Sequence, residues 1–205
     1  MALPGDISAA AFLIVAALIV PESDILIRNV GLNPTRTGLL DALLAMGADI
    51  SIENLHEVSG EPAGNLRVRA SKLSGTVVKG DLVVRMIDEF PIFAVAAAVA
   101  EGQTIVHDAE ELRLKESDRI SQIATELRKL NVKIDEATDG FTITGGAVDG
   151  NEVDAHGDHR TAMSMAVAGL VASNPVIIRG EEIIAESFPD FADTLRTLGA
   201  NLETL

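Results

Sequence analysis

The chain has 205 residues, 47% of them hydrophobic, so it is long and apolar enough to fold as a globular protein around a packed core. Its 31 acidic residues outnumber 16 Lys and Arg, giving a formal net charge of −15, and it has no Trp or Tyr; this excludes nucleic acid as a partner, which needs basic surface and aromatic stacking. It has no Cys, which excludes disulfides and thiolate metal sites, and we expect a cytoplasmic location and no metal.

The first predicted element is an apolar segment that follows Asp6 and ends at Val20. Its continuous apolar run, 9–20, is well short of the ~20 residues needed to span a bilayer. No positive charge precedes it, as a secretory signal would require. An Ala-rich segment that opens with an acidic residue predicts a buried helix capped by Asp6.

Two later segments repeat this pattern, one starting at Asp88 and ending at 100, the other starting at Asp158 and ending at 171. Each buried helix is followed by a predicted strand, an amphipathic helix and a strand punctuated by Gly or Asn. In chain order these are 24–30, 34–46 and 46–52; then 103–107, 117–130 and 130–135; then 175–179, 188–198 and 198–203.

The first two repeats have one further predicted strand each, 65–70 and 141–144, and the third has none. Three segments with the same order of predicted helices and strands predict one mixed α/β domain over 1–205. Its repeats are about 1–76, 77–146 and 147–205. A last strand at 198–203 without a following partner predicts that the strand pairing with it is supplied by a segment outside this chain.

The stretch 111–119, E-L-R-L-K-E-S-D-R, lies where a predicted strand gives way to a helix. Ser117 or Asp118 can cap that helix, which leaves Lys115 and Arg119 beside its positive end as an anion site. Glu116 lies between them, where a carboxyl group can exchange a proton with a bound substrate. The alternative is a solvated capping segment whose charges pair with each other.

Asp158, His159 and Arg160 open the third buried helix. An Arg at a helix start opposes the macrodipole unless an anion offsets it, so Arg160 is a candidate anion ligand. His159 is either a proton carrier or a structural hydrogen-bonding residue. Asp88 starts the second buried helix, where it serves as an N-cap, as a base for a substrate hydroxyl, or as both.

The turns at 33–36 and 186–190 need no function, because a helix start with Pro near its first turn explains both. No glycine-rich phosphate loop follows a predicted strand, and the four His residues show no metal-binding spacing.

Four motifs together resemble the EPSP synthase (3-phosphoshikimate 1-carboxyvinyltransferase) family and occur in that family's order. They are P-G-D-I-S-A-A-A-F at 4–12, L-K-E-S-D-R at 114–119, D-H-R-T-A-M-S-M at 158–165 and S-F-P-D-F at 187–191.

The resemblance implies an inverse α/β barrel-like domain of three β-α-β-α-β-β units, with helices inside and sheets outside. It also implies an N-terminal domain absent from this chain, whose first strand completes the third unit. The family transfers the enolpyruvyl group of phosphoenolpyruvate to the 5-hydroxyl of shikimate 3-phosphate, without a metal or organic cofactor. These small anions and the N-terminal domain are the implied partners, and this half is expected to be inactive alone.

Carried over by motif, Asp88 resembles the candidate base and Glu116 the acid that protonates the vinyl carbon. Lys115 would lie between the two anionic substrates, and Arg119 and Arg160 would hold phosphoenolpyruvate. The chain departs from many members at Glu186, where they carry a Lys that would bind phosphoenolpyruvate.

Two alternatives stay open from the sequence. A UDP-N-acetylglucosamine enolpyruvyl transferase shares the architecture and the chemistry, although the motifs around Lys115 and Arg160 favour shikimate 3-phosphate. A non-catalytic ligand-binding module of the same fold is the other.

Overall fold

A computed structural model describes residues 3–115 and 117–203, which form helices and strands in alternation along the chain. The α-helices are α1 (Ile7–Ile19), α2 (Gly38–Ala45), α3 (Asp81–Arg85), α4 (Phe90–Val99), α5 (Arg119–Lys129), α6 (His159–Gly169) and α7 (Phe191–Thr197). The strands are β1 (Asp24–Gly31), β2 (Asp49–Val58), β3 (Glu61–Arg69), β4 (Val77–Val78), β5 (Gln103–Val106), β6 (Lys133–Ala137), β7 (Gly140–Thr144), β8 (Glu152–Asp154) and β9 (Ile177–Arg179). Two 3-10 helices span Glu110–Leu114 and Glu181–Glu186.

The centre of the fold is formed by α1, α4 and α6, which pack against one another. These are the three helices predicted to be buried, and their side chains are apolar on nearly every side, as Phe12, Phe93 and Met163 illustrate. Asp6 and Asp158 cap α1 and α6 by accepting hydrogen bonds from backbone N–H groups. The helices therefore lie inside, as expected.

Three sheets lie outside these helices. The first has the strand order β1-β3-β2 and is antiparallel, the second has the order β4-β5-β7-β6, and the third pairs β8 with β9 in parallel. Each presents apolar residues inward, such as Leu66 and Val68 of β3, whereas β2 is mostly exposed to solvent. The fold is mixed α/β, as predicted.

The structure corrects several predicted element boundaries. Helix α2 begins at Gly38 instead of 34, because residues 33–36 form a turn in which the amide of Arg36 donates to the carbonyl of Asn33. The predicted N-cap at Asp88 is wrong, since Glu89 precedes the first residue of α4. The strand predicted at 198–203 does not form among the described residues: α7 ends at Thr197, and no described strand pairs with the segment after it.

Within the described residues, no helix has both the length and the apolar composition that crossing a bilayer requires. The apolar α1 is instead surrounded by other elements of the core.

Candidate anion-binding site

Asp88 lies just before α4, where cations from several elements surround it. Its Oδ1 atom lies 3.5 Å from Lys115 Nζ and 3.6 Å from Arg119 Nη1, and its Oδ2 atom lies 3.7 Å from Arg36 Nη2. Arg160 Nη1 donates to the main-chain oxygen of Asp88 at 3.3 Å. The Asp88 side chain is 27% exposed, so a ligand can reach it from solvent.

Glu89, the next residue, points into the protein and is buried. Ser8 Oγ donates to Glu89 Oε1 at 2.5 Å, and Arg36 Nη2 donates to the same Ser8 oxygen at 2.8 Å. Glu89 Oε1 also lies 3.8 Å from Arg160 Nη1 and 3.9 Å from Arg36 Nη2. Glu89 therefore links two guanidinium groups and the first turn of α1.

A second buried carboxylate, that of Asp158, holds Arg119. Asp158 Oδ1 accepts the backbone N–H of Arg160 at 2.8 Å and so caps α6, while Asp158 Oδ2 accepts Arg119 Nε at 2.7 Å. Neither side chain is exposed to solvent. The acid at the helix start thus compensates for Arg160 at a position where a cation opposes the helix dipole.

We call Arg36, Lys115, Arg119 and Arg160 the cation cluster. The four residues come from all three predicted repeats and meet where α1, α4 and α6 begin. The positive ends of three helix dipoles therefore add to the four side-chain charges. In a chain with a net charge of −15, this is a local concentration of positively charged side chains.

The two neighbouring carboxyl groups have opposite pKa shifts. Burial alone would raise the pKa of Asp88, but the positive charges of Arg160, Lys115, Arg119 and Arg36 outweigh it and lower that pKa. Burial raises the pKa of Glu89, and the hydrogen bond from Ser8 and the charges of Arg160 and Arg36 offset it only in part. Asp88 is accordingly the ionised partner, able to accept a proton from a hydroxyl group.

Of the residues singled out from the sequence, Asp88, Lys115, Arg119 and Arg160 lie together at this site. Glu116 lies outside the described residues, and its role stays a prediction. His159 is half-buried as the first residue of α6, and a role in proton transfer also stays a prediction.

The capping alternative for 111–119 is correct in part. Asp118 caps α5 by accepting the amide of Ser121, and it also pairs with Arg113 at 2.7 Å. Lys115 and Arg119 do not share this pairing, because both point to Asp88. The segment therefore has two roles. Arg113 and Asp118 stabilise the start of α5, whereas Lys115 and Arg119 lie at the site.

Sequence reasoning missed Arg36, Glu89 and Ser8. The turn that carries Arg36 follows the first strand of its repeat, and the segment with Lys115 and Arg119 follows the equivalent strand of the second. Because these two segments occupy equivalent positions in their repeats, the comparison of repeats could have identified Arg36 from the sequence. Glu186, in contrast, is exposed at the end of its 3-10 helix.

An apolar groove of about 720 Å³ lies elsewhere, between β1 and α7, and is lined by Leu13, Ile25, Ile27 and Leu198 among others. It contains no cation of the cluster. For an anionic ligand we therefore take the cation cluster, which opens on the surface, as the site.

Comparison with known proteins shows the family to which the chain belongs. The profile of the family described as EPSP synthase (3-phosphoshikimate 1-carboxyvinyltransferase) matches residues 1–195. A 3-phosphoshikimate 1-carboxyvinyltransferase of Synechococcus sp. (strain JA-3-3Ab) is 54% identical over 196 residues, which are 95% of this chain and 44% of that protein.

Two solved structures have the same fold. An EPSP synthase from Acinetobacter baumannii superposes with a TM-score of 0.96 at 41% identity, covering 98% of this chain and 47% of that one. The enolpyruvyl transferase NikO from Streptomyces tendae has a TM-score of 0.75 at 19% identity, covering 98% and 44%, and shows likeness of fold alone. The chain thus spans about half the length of the proteins it matches.

Proposed function

Because this chain belongs to the EPSP synthase family, we propose that it forms one wall of the active site of a 3-phosphoshikimate 1-carboxyvinyltransferase. The observation that carries the proposal is the cation cluster, which gathers around Asp88 in an otherwise acidic chain. Phosphoenolpyruvate and shikimate 3-phosphate are both polyanions. Cations are needed to hold them close together against their mutual repulsion.

In the proposed reaction, the vinyl carbon of phosphoenolpyruvate gains a proton and its neighbouring carbon forms a bond to the 5-oxygen of shikimate 3-phosphate. Asp88 accepts the proton of the 5-hydroxyl, because it is ionised and partly exposed to solvent. The carbon–oxygen bond to phosphate then breaks, phosphate leaves, and loss of a proton from the methyl group restores the vinyl group. Glu116 is the proposed donor to the vinyl carbon, on the motif alone.

The cations have different access to the substrates. Lys115 and Arg160 are partly exposed, at 26% and 17%, and are suited to direct contact with substrate oxyanions. Arg119 is fully buried against Asp158, so direct contact with phosphoenolpyruvate requires neighbouring side chains to move. We propose Lys115 between the two substrates, with Arg160 and Arg119 on phosphoenolpyruvate.

The domain organisation is also part of the proposal. The chain acts as one domain of three repeats, and the remaining half of the relatives' length supplies the opposite wall and further substrate contacts. Alone, the chain binds the substrates weakly and turns over negligibly.

The test uses the chain alone and the chain fused to the uncovered N-terminal part of the Synechococcus relative, with phosphate release measured from both substrates. We expect turnover only in the fusion. UDP-N-acetylglucosamine as the acceptor should give none. Robust turnover by the chain alone, or a fusion that folds and is inactive, would contradict the proposal.

In the active fusion, Lys115→Met should lower kcat/KM by about 10- to 100-fold, because a charge-assisted contact to a substrate oxyanion is lost. Lys133→Met is the matched control, since Lys133 is exposed on β6. Equal effects of the two substitutions would show that Lys115 acts through general charge and not through contact.

A further inference from the structure

Arg36 is the most exposed member of the cation cluster, and its location suggests a role beyond packing. Its side chain is 49% exposed, compared with 26% for Lys115 and 17% for Arg160. It is nevertheless held in place, because Nη2 donates to Ser8 Oγ at 2.8 Å and lies within 4 Å of both Asp88 and Glu89. A fixed guanidinium that faces solvent is suited to binding an oxyanion.

Arg36 borders an open depression of the surface. It lines this depression of about 220 Å³ together with Gly5, Gly31 and Asn33, and the acidic residues Asp6 and Glu61 also line it. Gly5 and Gly31 join the start of α1 to β1, with the amide of Gly31 donating to the carbonyl of Gly5 at 2.8 Å. The depression thus adjoins the helix start from which Ser8 holds Arg36.

The network also explains why the charge of Arg36 remains available to a ligand. The Arg36 guanidinium lies 3.7 Å from Asp88 and 3.9 Å from Glu89, which is longer than a charge-assisted hydrogen bond. Its short hydrogen bond, of 2.8 Å, is to the neutral hydroxyl of Ser8. Arg113, in contrast, makes bonds of 2.7 and 2.9 Å to two carboxylates. The positive charge of Arg36 is therefore less neutralised than that of a structural ion pair.

We propose that Arg36 is a substrate-contacting residue that binds an oxyanion, either a phosphate or a carboxylate group, beside Asp88. The inference rests on the proposed function, because it assigns a fourth cation to the same anion site. Ser8 and Glu89 are its positioning residues. They fix the orientation of the guanidinium from the first turn of α1 and the start of α4.

The experiment titrates the 205-residue chain with phosphoenolpyruvate, inorganic phosphate and pyruvate, monitored by the Nε–Hε resonance of Arg36 and by calorimetry. The resonance is assigned by its disappearance in Arg36→Lys. A shift caused by inorganic phosphate identifies the phosphate group as the ligand, whereas a shift caused by pyruvate identifies the carboxylate. We expect Arg36→Met to weaken binding of phosphoenolpyruvate about tenfold.

Two further variants make the result interpretable. Arg36→Lys keeps the charge without the planar fork and should weaken binding less than Arg36→Met. Arg67→Met removes the same charge from β3, where Arg67 pairs with Asp24, and should leave affinity unchanged. Far-UV circular dichroism verifies that each variant is folded.

The inference is overturned if folded Arg36→Met binds phosphoenolpyruvate as the wild type does, or if Arg67→Met weakens binding equally. A wild-type chain that binds none of the three anions also overturns the inference about Arg36, whereas the proposed function is decided separately, by turnover in the fusion.

Discussion

Asp88 and Glu89 are adjacent in the sequence but differ in their surroundings, and this difference divides their roles. Asp88 faces the cluster and the solvent, so cations on several sides hold its pKa below the usual value. Glu89 faces the core, where burial raises its pKa. A pair of carboxyl groups with separated pKa values provides one ionised group and one that keeps its proton to a higher pH.

The raised pKa of Glu89 predicts a pH-dependent stability. Between the usual value of 4.5 and the raised value, the native state binds more protons here than the unfolded state, so the free energy of unfolding falls as pH rises. Glu89→Gln has no proton to lose, so its stability relative to the wild type should increase from about pH 4 to about pH 8. Urea unfolding across this range measures it, with the exposed Glu57→Gln as control. A difference that stays constant or decreases with pH would contradict the prediction.

At the residue scale, the sequence predicted three members of the cluster, because Lys115, Arg119 and Arg160 lie in short motifs with their own capping chemistry. It did not predict Arg36. The turn that carries Arg36 contains Pro34 and resembles an ordinary helix start. Arg36 is distinguished by its tertiary contacts to Ser8, Asp88 and Glu89. Glu89 was missed because nothing in the local sequence shows that it is buried, whereas the neighbouring Asp88 is exposed to solvent in part.

At the scale of elements, one buried carboxylate connects α5 to the segment before α6. Glu126 of α5 accepts hydrogen bonds from Lys129 Nζ at 2.8 Å, from His156 Nε2 at 2.7 Å and from the amide of Asp154 at 2.9 Å. Helix α5 begins with Arg119, and the segment after His156 leads to Arg160. Glu126 therefore helps to fix two cations of the cluster relative to each other.

Glu126→Gln should destabilise the chain by about 1–3 kcal/mol at neutral pH, because charge-assisted hydrogen bonds are lost. Burial alone would raise the pKa of Glu126, but the hydrogen bonds from Lys129, Asp154 and His156 lower it overall. Its stabilising contribution is thus fully present above the usual value of 4.5 and lost as pH falls through the lowered pKa, so the penalty should shrink in acid. Chemical unfolding at neutral and acidic pH measures this. The exposed pair Glu152–Arg179 supplies the control, Glu152→Gln, and its loss of stability should be smaller because solvent screens this pair. An equal loss in both variants would be evidence against the role of Glu126.

Helices were predicted more accurately than strands. The three central helices form close to their predicted positions, because a long apolar segment that starts with an acidic residue is compatible with few structures other than a buried helix. Strands β4 and β8 were missed, since two or three residues carry no periodic pattern. The strand predicted at 198–203 does not form among the described residues, where local β-propensity has no pairing partner to act with.

At the scale of the whole molecule, the three sheets enclose one continuous apolar core. Phe12 of α1 meets Phe191 of α7 edge to face at 6.0 Å, which joins the first predicted repeat to the third. Phe90 meets Phe141 at 6.3 Å within the second. Among residues 3–115 and 117–203, the buried apolar side chains form one cluster that all three predicted repeats share.

The shared core predicts one cooperative unfolding transition for the 205-residue chain. Phe12→Ala should destabilise it by about 3–5 kcal/mol and move the entire transition, because the cavity lies where two repeats join. Far-UV circular dichroism and amide hydrogen exchange of all three sheets should report the same midpoint. Two separate midpoints, or a shift confined to one sheet, would show that the repeats fold independently.

The meeting of three helix starts at one site also limits how this protein can diversify. Lengthening or rotating α1, α4 or α6 would displace the other two helices, because the three pack against one another. The part of the site that the helix starts form therefore cannot be altered through one helix alone. Acceptance of a new ligand should instead arise from substitutions at the exposed edge of the site, or from the part of the relatives' length that this chain does not span. Substitutions intended to change ligand selectivity should therefore be tolerated best at that exposed edge.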